Sequence, residues 1–416
     1  MITTINNKHN KLNVPNKREQ NQTCLYSDER EGLRPKGNVP NLRFPEFQGE
    51  WEKCTFDKIA QYKKGPFGSA LKKDIFVPQS KDTIKVYEQQ NAIKKDWTLS
   101  RYYITKGYFN SHMKQFVAKA GDLIVSCAGT IGEIYELPQD AEEGVFNQAL
   151  MRVQVNDEAV NKEIFITVFS SMIDKFSKIY SNGSAIKNIP PFADLKKTQV
   201  FLPCKEEQKK IAKLLVLLDE RIATQNKIID KLQTLIKGIR HNIFKDIQGE
   251  VLALGNIADV YQPQTISSSD LTTDGYWVYG ANGIIGKYKE YNHETEQICI
   301  TCRGNTCGTV NYTQPKVWIT GNSMVINTDK HQQQVNKRYL FHYLSSYNFN
   351  SIVSGSGQPQ IVRTPLEKIK VTLPSIEKQV QIAHGIDLIL TKIETECTVL
   401  GFLESQKQYL LRQMFI

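Results

Sequence analysis

Nowhere in this 416-residue chain do eighteen apolar residues run together, and no charged-then-apolar leader opens it, so neither a membrane span nor a secretory signal is expected. Cysteine is scarce: eight thiols over this length make no disulfide framework, which points to a reducing compartment and a cytoplasmic protein. The seven histidines show no spacing that suggests a ligand set or a catalytic dyad. Acidic residues are outnumbered, 43 against 53 basic ones, and the resulting net charge of +10 favours polyanionic partners. With 40% hydrophobic residues the composition is globular, and the length calls for two to four compact units rather than one core.

Motifs of catalysis and cofactor binding come close and fail. Asn188-Ile189-Pro190-Pro191-Phe192 is similar to the Asn-Pro-Pro-aromatic site of adenine methyltransferases, but there the amide and prolyl carbonyl must be adjacent to bind an amino group, and Ile189 separates them. In "GANGIIGKY" (280–288) the glycines are one residue too far apart for a phosphate-binding loop, and Tyr288 stands where a magnesium-binding hydroxyl belongs, so a turn is expected. "SGSG" (354–357) lacks the strand before and the helix after that a dinucleotide site needs. Cys299, Cys302 and Cys307, with His293 upstream, could be drawn as a zinc site. The internal repeat described below argues for small buried thiols instead, because Cys302 aligns with the solitary Cys127 and Cys307 with Ile131. No catalytic residue and no metal is expected.

Proline is also absent from Lys205 to Phe244, and here the absence is constructive. Apolar residues fall on a heptad, with Leu215, Ile222, Ile229, Ile236 and Ile243 at a and Ile211, Leu218, Leu232 and Ile239 at d. Pro203 precedes the run and Glu206 and Glu207 load its first turn, predicting a single helix of roughly 60 Å at about 1.5 Å per residue. The same element returns at a constant offset of 171 residues, "VFLPCKEEQKKIA" (200–212) reappearing ungapped as "VTLPSIEKQVQIA" (371–383). In the second copy Ile386, Ile393, Leu400 and Met414 take a, with Lys407 the exception, and Ile382, Ile389, Leu403 and Leu410 take d. Gln225 and Glu396 occupy the same polar d position. Two narrow seams with one shared polar layer predict that the helices pair with each other, and an antiparallel register centred on Gln225 and Glu396 would bring Ile211 to Leu410 and Ile239 to Ile382.

Between these helices lie mixed segments rich in short β runs. "GDLIVSCAGTIG" (121–132) matches "EQICITCRGNTCG" (296–308), each a strand, a glycine turn and a second strand. "TFDKIA" (55–60) matches "ALGNIA" (253–258), "KVYEQQNAI" (85–93) resembles "WVYGANGII" (277–285), Phe146-Asn147-Gln148 answers Gly321-Asn322-Ser323, and Gly183-Ser184 answers Gly355-Ser356. The first forty or so residues are rich in Asn, Lys, Gln and Glu and cannot bury enough surface to offset their ordering entropy, so they are expected to form a loose tail. Leu42, Phe44, Phe47 and Trp51 supply the first concentrated apolar surface.

This ordered double layout resembles the specificity (S) subunit of type I restriction-modification enzymes over about residues 42–416. The expected fold class is α+β: a flexible polar tail (1–41), a first target-recognition domain (42–203), a central helix (204–246), a second target-recognition domain (247–373) and a C-terminal helix (374–416), the two helices forming an antiparallel coiled coil. The pairing positions are Ile211, Leu215, Leu218, Ile222, Gln225, Ile229, Leu232, Ile236, Ile382, Ile386, Ile389, Ile393, Glu396, Leu400, Leu403 and Leu410. The resemblance implies a non-catalytic subunit that binds double-stranded DNA and reads an asymmetric bipartite target. It implies two modification (methyltransferase) subunits as partners, with restriction (translocase/nuclease) subunits beside them. No cofactor is expected in this chain, and S-adenosylmethionine, ATP and Mg belong to the partner subunits.

The loops are stocked for such reading, since Asn and Gln match adenine edges and Arg or Lys match guanine. In the first domain the candidates are Tyr87, Gln89, Gln90, Asn91, Lys94, Lys95, Ser111, His112 and Lys114, with Lys63, Lys64, Lys72 and Lys73 around "GPFGS" as phosphate contacts. In the second they are Tyr279, Asn282, Lys287, Arg303, Asn305, Thr306, Gln358, Gln360 and Arg363. Turns favour Asn and Gln for conformational reasons too, so composition leaves both roles open for each residue. Two other functions fit the same charge and helices: a stand-alone DNA-binding scaffold or repressor, and a helical adaptor for protein partners.

Overall fold

The computed structural model describes residues 37–180, 192–281, 283–355 and 357–415. The motif around Asn188, the Gly183-Ser184 pair and Asn282 lie outside the described residues, as does Ser356. Residues divide into two units, one running to Ile222 and resuming at Leu403, the other Ala223–Phe402. Each long helix is therefore divided between the two units.

In the first unit the strands are β1 (Glu52–Thr55), β2 (Ala60–Lys64), β3 (Thr83–Tyr87), β4 (Tyr103–Thr105), β5 (Val117–Ala118), β6 (Leu123–Ser126), β7 (Ile134–Glu136), β8 (Gly144–Phe146), β9 (Leu150–Val155) and β10 (Gln199–Leu202). They form three sheets: the antiparallel pair β1-β10, an antiparallel sheet ordered β2-β9-β6-β7, and a mixed sheet ordered β4-β3-β8-β5 in which β3 and β8 run parallel. β6 is buried on both faces. Leu123 and Val125 join Phe165 and Phe169 of the helix Lys162–Tyr180 in one core, while Ile124 points into a second core with Tyr87 and Phe146. Strict alternation of side chains along a strand is what lets one strand serve two cores.

The second unit repeats the plan with β11 (Glu250–Ala253), β12 (Asp259–Tyr261), β13 (Tyr276–Gly280), β14 (Gly283–Tyr288), β15 (Ile298–Thr301), β16 (Val310–Tyr312), β17 (Trp318–Ile319), β18 (Ser323–Asn327) and β19 (Lys370–Leu373). Its sheets are β11-β19, β12-β18-β15-β16 and β14-β13-β17, with β13 and β17 parallel. The sequence repeats map directly onto this frame. β6 and β7 around the turn at Gly129 answer β15 and β16 around the turn at Gly304.

The match of "KVYEQQNAI" to "WVYGANGII" holds for the strands and fails after them. Beyond β3 the chain turns into a short helix (Gln89–Lys94), because Glu88 and Asn91 make a capping box. Beyond β13 it folds straight back as the β13–β14 hairpin through the left-handed Gly283.

The long helices run Lys205–Asp246 and Ile376–Met414. In the first unit Ile211 and Leu215 pack in one core with Leu410, Leu411 and Met414, and Asp219 pairs with Lys407. In the second, Ile236 packs with Ile386 and Ile393, with Leu232, Ile243, Ile382 and Ile389 at the rim. Early residues of one helix thus meet late residues of the other in both units, which is the antiparallel arrangement. The seam is as narrow as the heptad predicts: Leu218, Gln225 and Ile229 are buried, whereas Leu217, Ile228 and Leu235 face solvent.

One glutamine per repeat ties each globular part to its helix. Gln208 accepts from the main-chain N–H of Asn161 at 2.7 Å and donates to the Pro203 carbonyl at 2.9 Å. Gln379 accepts from Asn336 N–H at 2.9 Å and donates to the carbonyls of Pro374 at 2.9 Å and Gln334 at 3.0 Å. Asn161 and Asn336 in turn receive N–H groups of the first turn of the next helix, so the clamp fixes a helix start and a helix pair together.

Other ties differ between the copies. In the first unit Arg43 reaches the wholly buried Glu207 through two hydrogen bonds of 2.8 and 2.7 Å, Asn38 accepts from Trp51 N–H, and Leu42 N–H donates to the Gln413 carbonyl at 2.9 Å. Among the described residues pairing starts at Asn38, a few residues before the apolar cluster of Leu42, Phe44, Phe47 and Trp51. In the second unit Arg240, His342, Asp387 and Arg338 form a chain that runs from the buried Arg240 and His342 to the half-buried Asp387 and Arg338: Arg240 donates to His342 Nδ1 at 2.9 Å, and His342 Nε2 donates to Asp387 at 2.8 Å. Arg338 binds both Asp387 oxygens. At the 171-residue offset Arg240 is answered by Leu411, which packs against the first core, and Asp387 by the exposed Val216, so the first repeat has no counterpart of this chain.

Candidate nucleic-acid interface

In the first unit the loop after β2 carries the lysines. Lys64, Lys72 and Lys73 are exposed. Lys63 is half-buried, donates to the Gln115 side chain at 2.8 Å and lies 5.1 Å over the Phe116 ring. The loop is seated on the turn after β8: Gly65 N–H donates to the Leu150 carbonyl at 2.9 Å, and a Cβ at Gly65 would overlap the Asn147 carbonyl, so only glycine permits this approach.

Beside that turn is a recess whose lining includes Glu88, Gln90, Lys94, Arg101 and Asn147. Burial raises the Glu88 carboxyl above its ordinary range, and Arg101, 3.7 Å away, partly offsets this. Gln90 and Lys94 are exposed. Arg101, Asn147 and Gln148 were not among the sequence candidates, although the repeat alignment had already marked Asn147 and Gln148.

Four neighbouring candidates are committed elsewhere. Tyr87 is fully buried and its hydroxyl donates to the Glu142 carbonyl, so it supports the sheet and does not meet a ligand. Asn91 is buried as well: its oxygen accepts from Glu88 N–H at 2.8 Å and its amine donates to the carbonyls of Asp96 and Leu99 at 2.9 and 2.8 Å. Gln89 spends its amine on the carbonyls of Ala128 and Thr130, shaping the glycine turn after β6. Lys95, left-handed at φ 52°, binds Glu133 and the Ile134 carbonyl. On the stretch 109–116, Ser111 donates to the Gly107 carbonyl at 3.0 Å, His112 stacks on Tyr108 at 4.7 Å, and Lys114 is exposed.

In the second unit two turns are joined. Arg303 and Gln360 form an isolated antiparallel bridge, Gly304 N–H donates to the Pro359 carbonyl and Ile361 N–H to the Cys302 carbonyl, both at 3.0 Å. This brings together the exposed Arg303, Asn305, Thr306, Gln358 and Gln360. Arg363 follows on the same strand of chain, exposed and paired with Glu367 at 2.7 Å. Gln262 and Asn322, not selected from the sequence, border the turn: Gln262 donates to the Gly321 carbonyl and the Asn322 carbonyl accepts from Cys302 N–H. Tyr279 is buried in an apolar cluster with Cys299 and Val325, which removes it from any contact surface. Lys287 is half-buried and lies 4.9 Å over the Trp277 ring.

The thiols are divided between cores. Cys299 belongs to the cluster of Tyr279 and Val325, Cys302 and Cys307 to that of Leu254 and Phe349, and burial pushes all three pKa values up. His293 is occupied by Asn292 and the Tyr261 hydroxyl. Among the described residues no group of three or more His, Cys, Asp or Glu is placed to hold a metal, and no helix is long and apolar enough to cross a membrane.

A tandem pair of β-rich readers, each tied through a glutamine clamp to one of two antiparallel helices, is the class that fold and loops define. The family model described as "Type I restriction modification DNA specificity domain" matches residues 48–234 and again 248–401. The chain belongs to that family. It is 30% identical to the type I restriction enzyme EcoprrI specificity subunit of Escherichia coli over 147 residues, 34% of this chain and 36% of that protein. The chain thus matches about a third of that relative's length. It is 22% identical to the type I restriction enzyme MjaVIII specificity subunit of Methanocaldococcus jannaschii over 85% of this chain and 88% of that protein. The crystal structure of the S subunit of a type I restriction-modification system from M. genitalium superposes with a TM-score of 0.55 at 19% identity, over 91% of this chain and 99% of that one, which shows the shared fold.

Proposed function

We propose that this chain is the DNA-recognition subunit of a type I restriction-modification complex. It reads two unlike half-sites of one duplex and directs methylation and restriction subunits to them. The observation that carries this reading is the contrast between frame and loops. Sheet order repeats from one unit to the other, whereas the exposed side chains do not: Gln90, Lys94 and Arg101 in the first, Arg303, Gln358 and Gln360 in the second. Two readers built alike and equipped differently suit an asymmetric bipartite target.

Partner subunits are favoured over a stand-alone repressor by the outer faces of the long helices, where Leu217, Leu235, Leu388, Phe402 and Tyr409 stand in solvent. Large apolar residues on charged helices are surface that a protein partner covers. Two modification subunits match the two copies of the helix. Methyl transfer and its S-adenosylmethionine belong to those partners, ATP and Mg to the restriction subunits, and the whole acts in the cytoplasm. This chain contributes recognition without catalysis.

The test is co-expression with the modification subunits, followed by long-read mapping of methylated positions and by duplex binding at increasing salt. The expected result is one split motif, with affinity falling by about 0.9 log units per log unit of salt for each phosphate contacted. Methyl transfer by the isolated chain, or binding that ignores salt, contradicts the proposal.

A further inference from the structure

Phe67 is the most exposed large apolar side chain among the described residues, 89% accessible. Its stem is firmly built. Gly65 is pressed onto the Asn147 carbonyl and Pro66 is buried. The Phe67 carbonyl accepts from Ala70 N–H at 2.9 Å, the Gly68 carbonyl accepts from Leu71 N–H at 3.3 Å, and Leu71 is anchored in the core with Val86 and Ile104. A phenyl ring held out on a fixed turn is presented to something. Its surroundings say what: the exposed Lys64, Lys72 and Lys73 flank it in sequence, and the Gln148 amide lies 4.0 Å from where a Cβ on Gly68 would be.

Cations beside a planar apolar ring, next to hydrogen-bonding amides, are complementary to a duplex whose phosphates meet the lysines while the ring slides between bases. Such apolar wedges unstack a step and bend the duplex towards more contacts. We infer that Phe67 is an aromatic wedge that inserts at a base step of the half-site read by the first domain. The inference rests on the DNA-recognition reading above. It is specific to one half of the target, because strand register matches Tyr62 with Val260, which puts Pro263 at the place of Gly65 and the exposed Thr265 at that of Phe67. In that domain the glycine of the close approach sits on the facing turn, Gly321 meeting the Thr265 hydroxyl and the Pro263 carbonyl, and the loop offers a hydroxyl instead of a ring.

The experiment uses the full chain assembled with its modification subunits, and duplexes carrying the mapped motif with 2-aminopurine placed singly along the first half-site at positions other than the methylated base. Binding should raise the fluorescence at one step. Phe67→Ala should abolish that rise and weaken binding on the order of ten- to a hundredfold, the range of a lost base–aromatic stack, with the salt dependence unchanged because no phosphate contact is lost. Phe67→Trp should preserve both. A wild-type complex that binds its motif with no fluorescence change at any step overturns the wedge, as does a rise that survives Phe67→Ala. Failure of the Phe67→Ala chain to assemble with the modification subunits would make the ring a protein-docking residue and also overturn it. If the wild-type complex binds its motif no better than an unrelated duplex, the DNA-recognition reading itself falls, and the wedge with it.

Discussion

Gln225 donates its side-chain amine to the main-chain carbonyl of Glu396 at 3.0 Å and to the carboxylate of the same residue. These two residues hold the one polar d layer of the helix pair, 171 positions apart in sequence and directly opposed in space. Lys392, one turn earlier, completes the carboxylate's hydrogen bonding at 2.5 Å, and Lys392 first and Gln225 second hold the Glu396 carboxyl below its usual range. A satisfied polar layer inside an apolar seam fixes register, because any slip of the helices would bury an amide against leucine or isoleucine.

Replacing both residues by leucine, Gln225→Leu with Glu396→Leu, should therefore raise the melting temperature while loosening the register. Gln225→Leu alone should lower it. Thermal melts of the three chains, with disulfide trapping of cysteines placed at 211 and 410 against cysteines placed at 211 and 403, separate the two effects.

The glutamine clamps make a stronger claim about stability. Gln208→Ala leaves the Asn161 N–H and the Pro203 carbonyl without their partner in a buried setting, and Gln379→Ala does the same to Asn336, Gln334 and Pro374. Gln208→Ala should cost about 2–6 kcal/mol in urea denaturation, at about 1–3 kcal/mol for each of the two groups left unpaired, and Gln379→Ala, with three, at least as much. Hydrogen exchange should accelerate at the start of the helix Lys162–Tyr180 for the first and of Lys337–Ser346 for the second.

Acid should weaken the second unit through His342. Burial above all, with Arg240 and Arg338 nearby, lowers its pKa to about 4 despite the hydrogen bond to Asp387. The unfolded chain takes up this proton first, near an ordinary pKa of about 6.5, so stability is full above that pH and is lost as pH falls towards 4. By pH 5 the loss from this group should be about 2 kcal/mol. Urea melts at pH 7.5 and 5.0 should show it in peptides from 337–346, and His342→Gln should flatten the difference.

Asn91→Ala should behave as a folding variant, not as a reading variant. Three hydrogen bonds vanish with its side chain, and a cost of roughly 2–3 kcal/mol is expected, with the motif methylated by the surviving folded protein unchanged. A changed motif at undiminished stability would return Asn91 to the interface.

The contrast between Asn91 and its neighbour Gln90 shows what the sequence could reveal. The helix pair and the double layout were legible because heptads and repeats are periodic, and a period survives in sequence whatever packs against it. The glutamine of the helix start was visible as part of a repeated string, but its partners at Asn161 and Asn336 lie more than forty residues away and leave no local trace. The parallel pairing of β3 with β8 and of β13 with β17 was hidden for the same reason. For single loop residues the chemistry is degenerate: the amide that caps a helix at Asn91 and the one exposed at Asn305 are the same residue type. Only burial separates them, and burial is set by distant chain. Tyr87 and Tyr279 show the same degeneracy: their hydroxyls suggest contact surface, while each tyrosine lies buried in the interior.

Whether each unit reads its own half of a split target is decided by long-read methylation mapping in cells carrying Arg303→Ala or Gln90→Ala chains with the same partner subunits. Each substitution should remove about 1–3 kcal/mol of base discrimination at one position. Arg303→Ala should relax a base in one half of the motif only, and Gln90→Ala a base in the other half only, with the spacing between the halves unchanged. If both variants relax the same half, or lower methylation evenly without relaxing either, the two units are not separate readers.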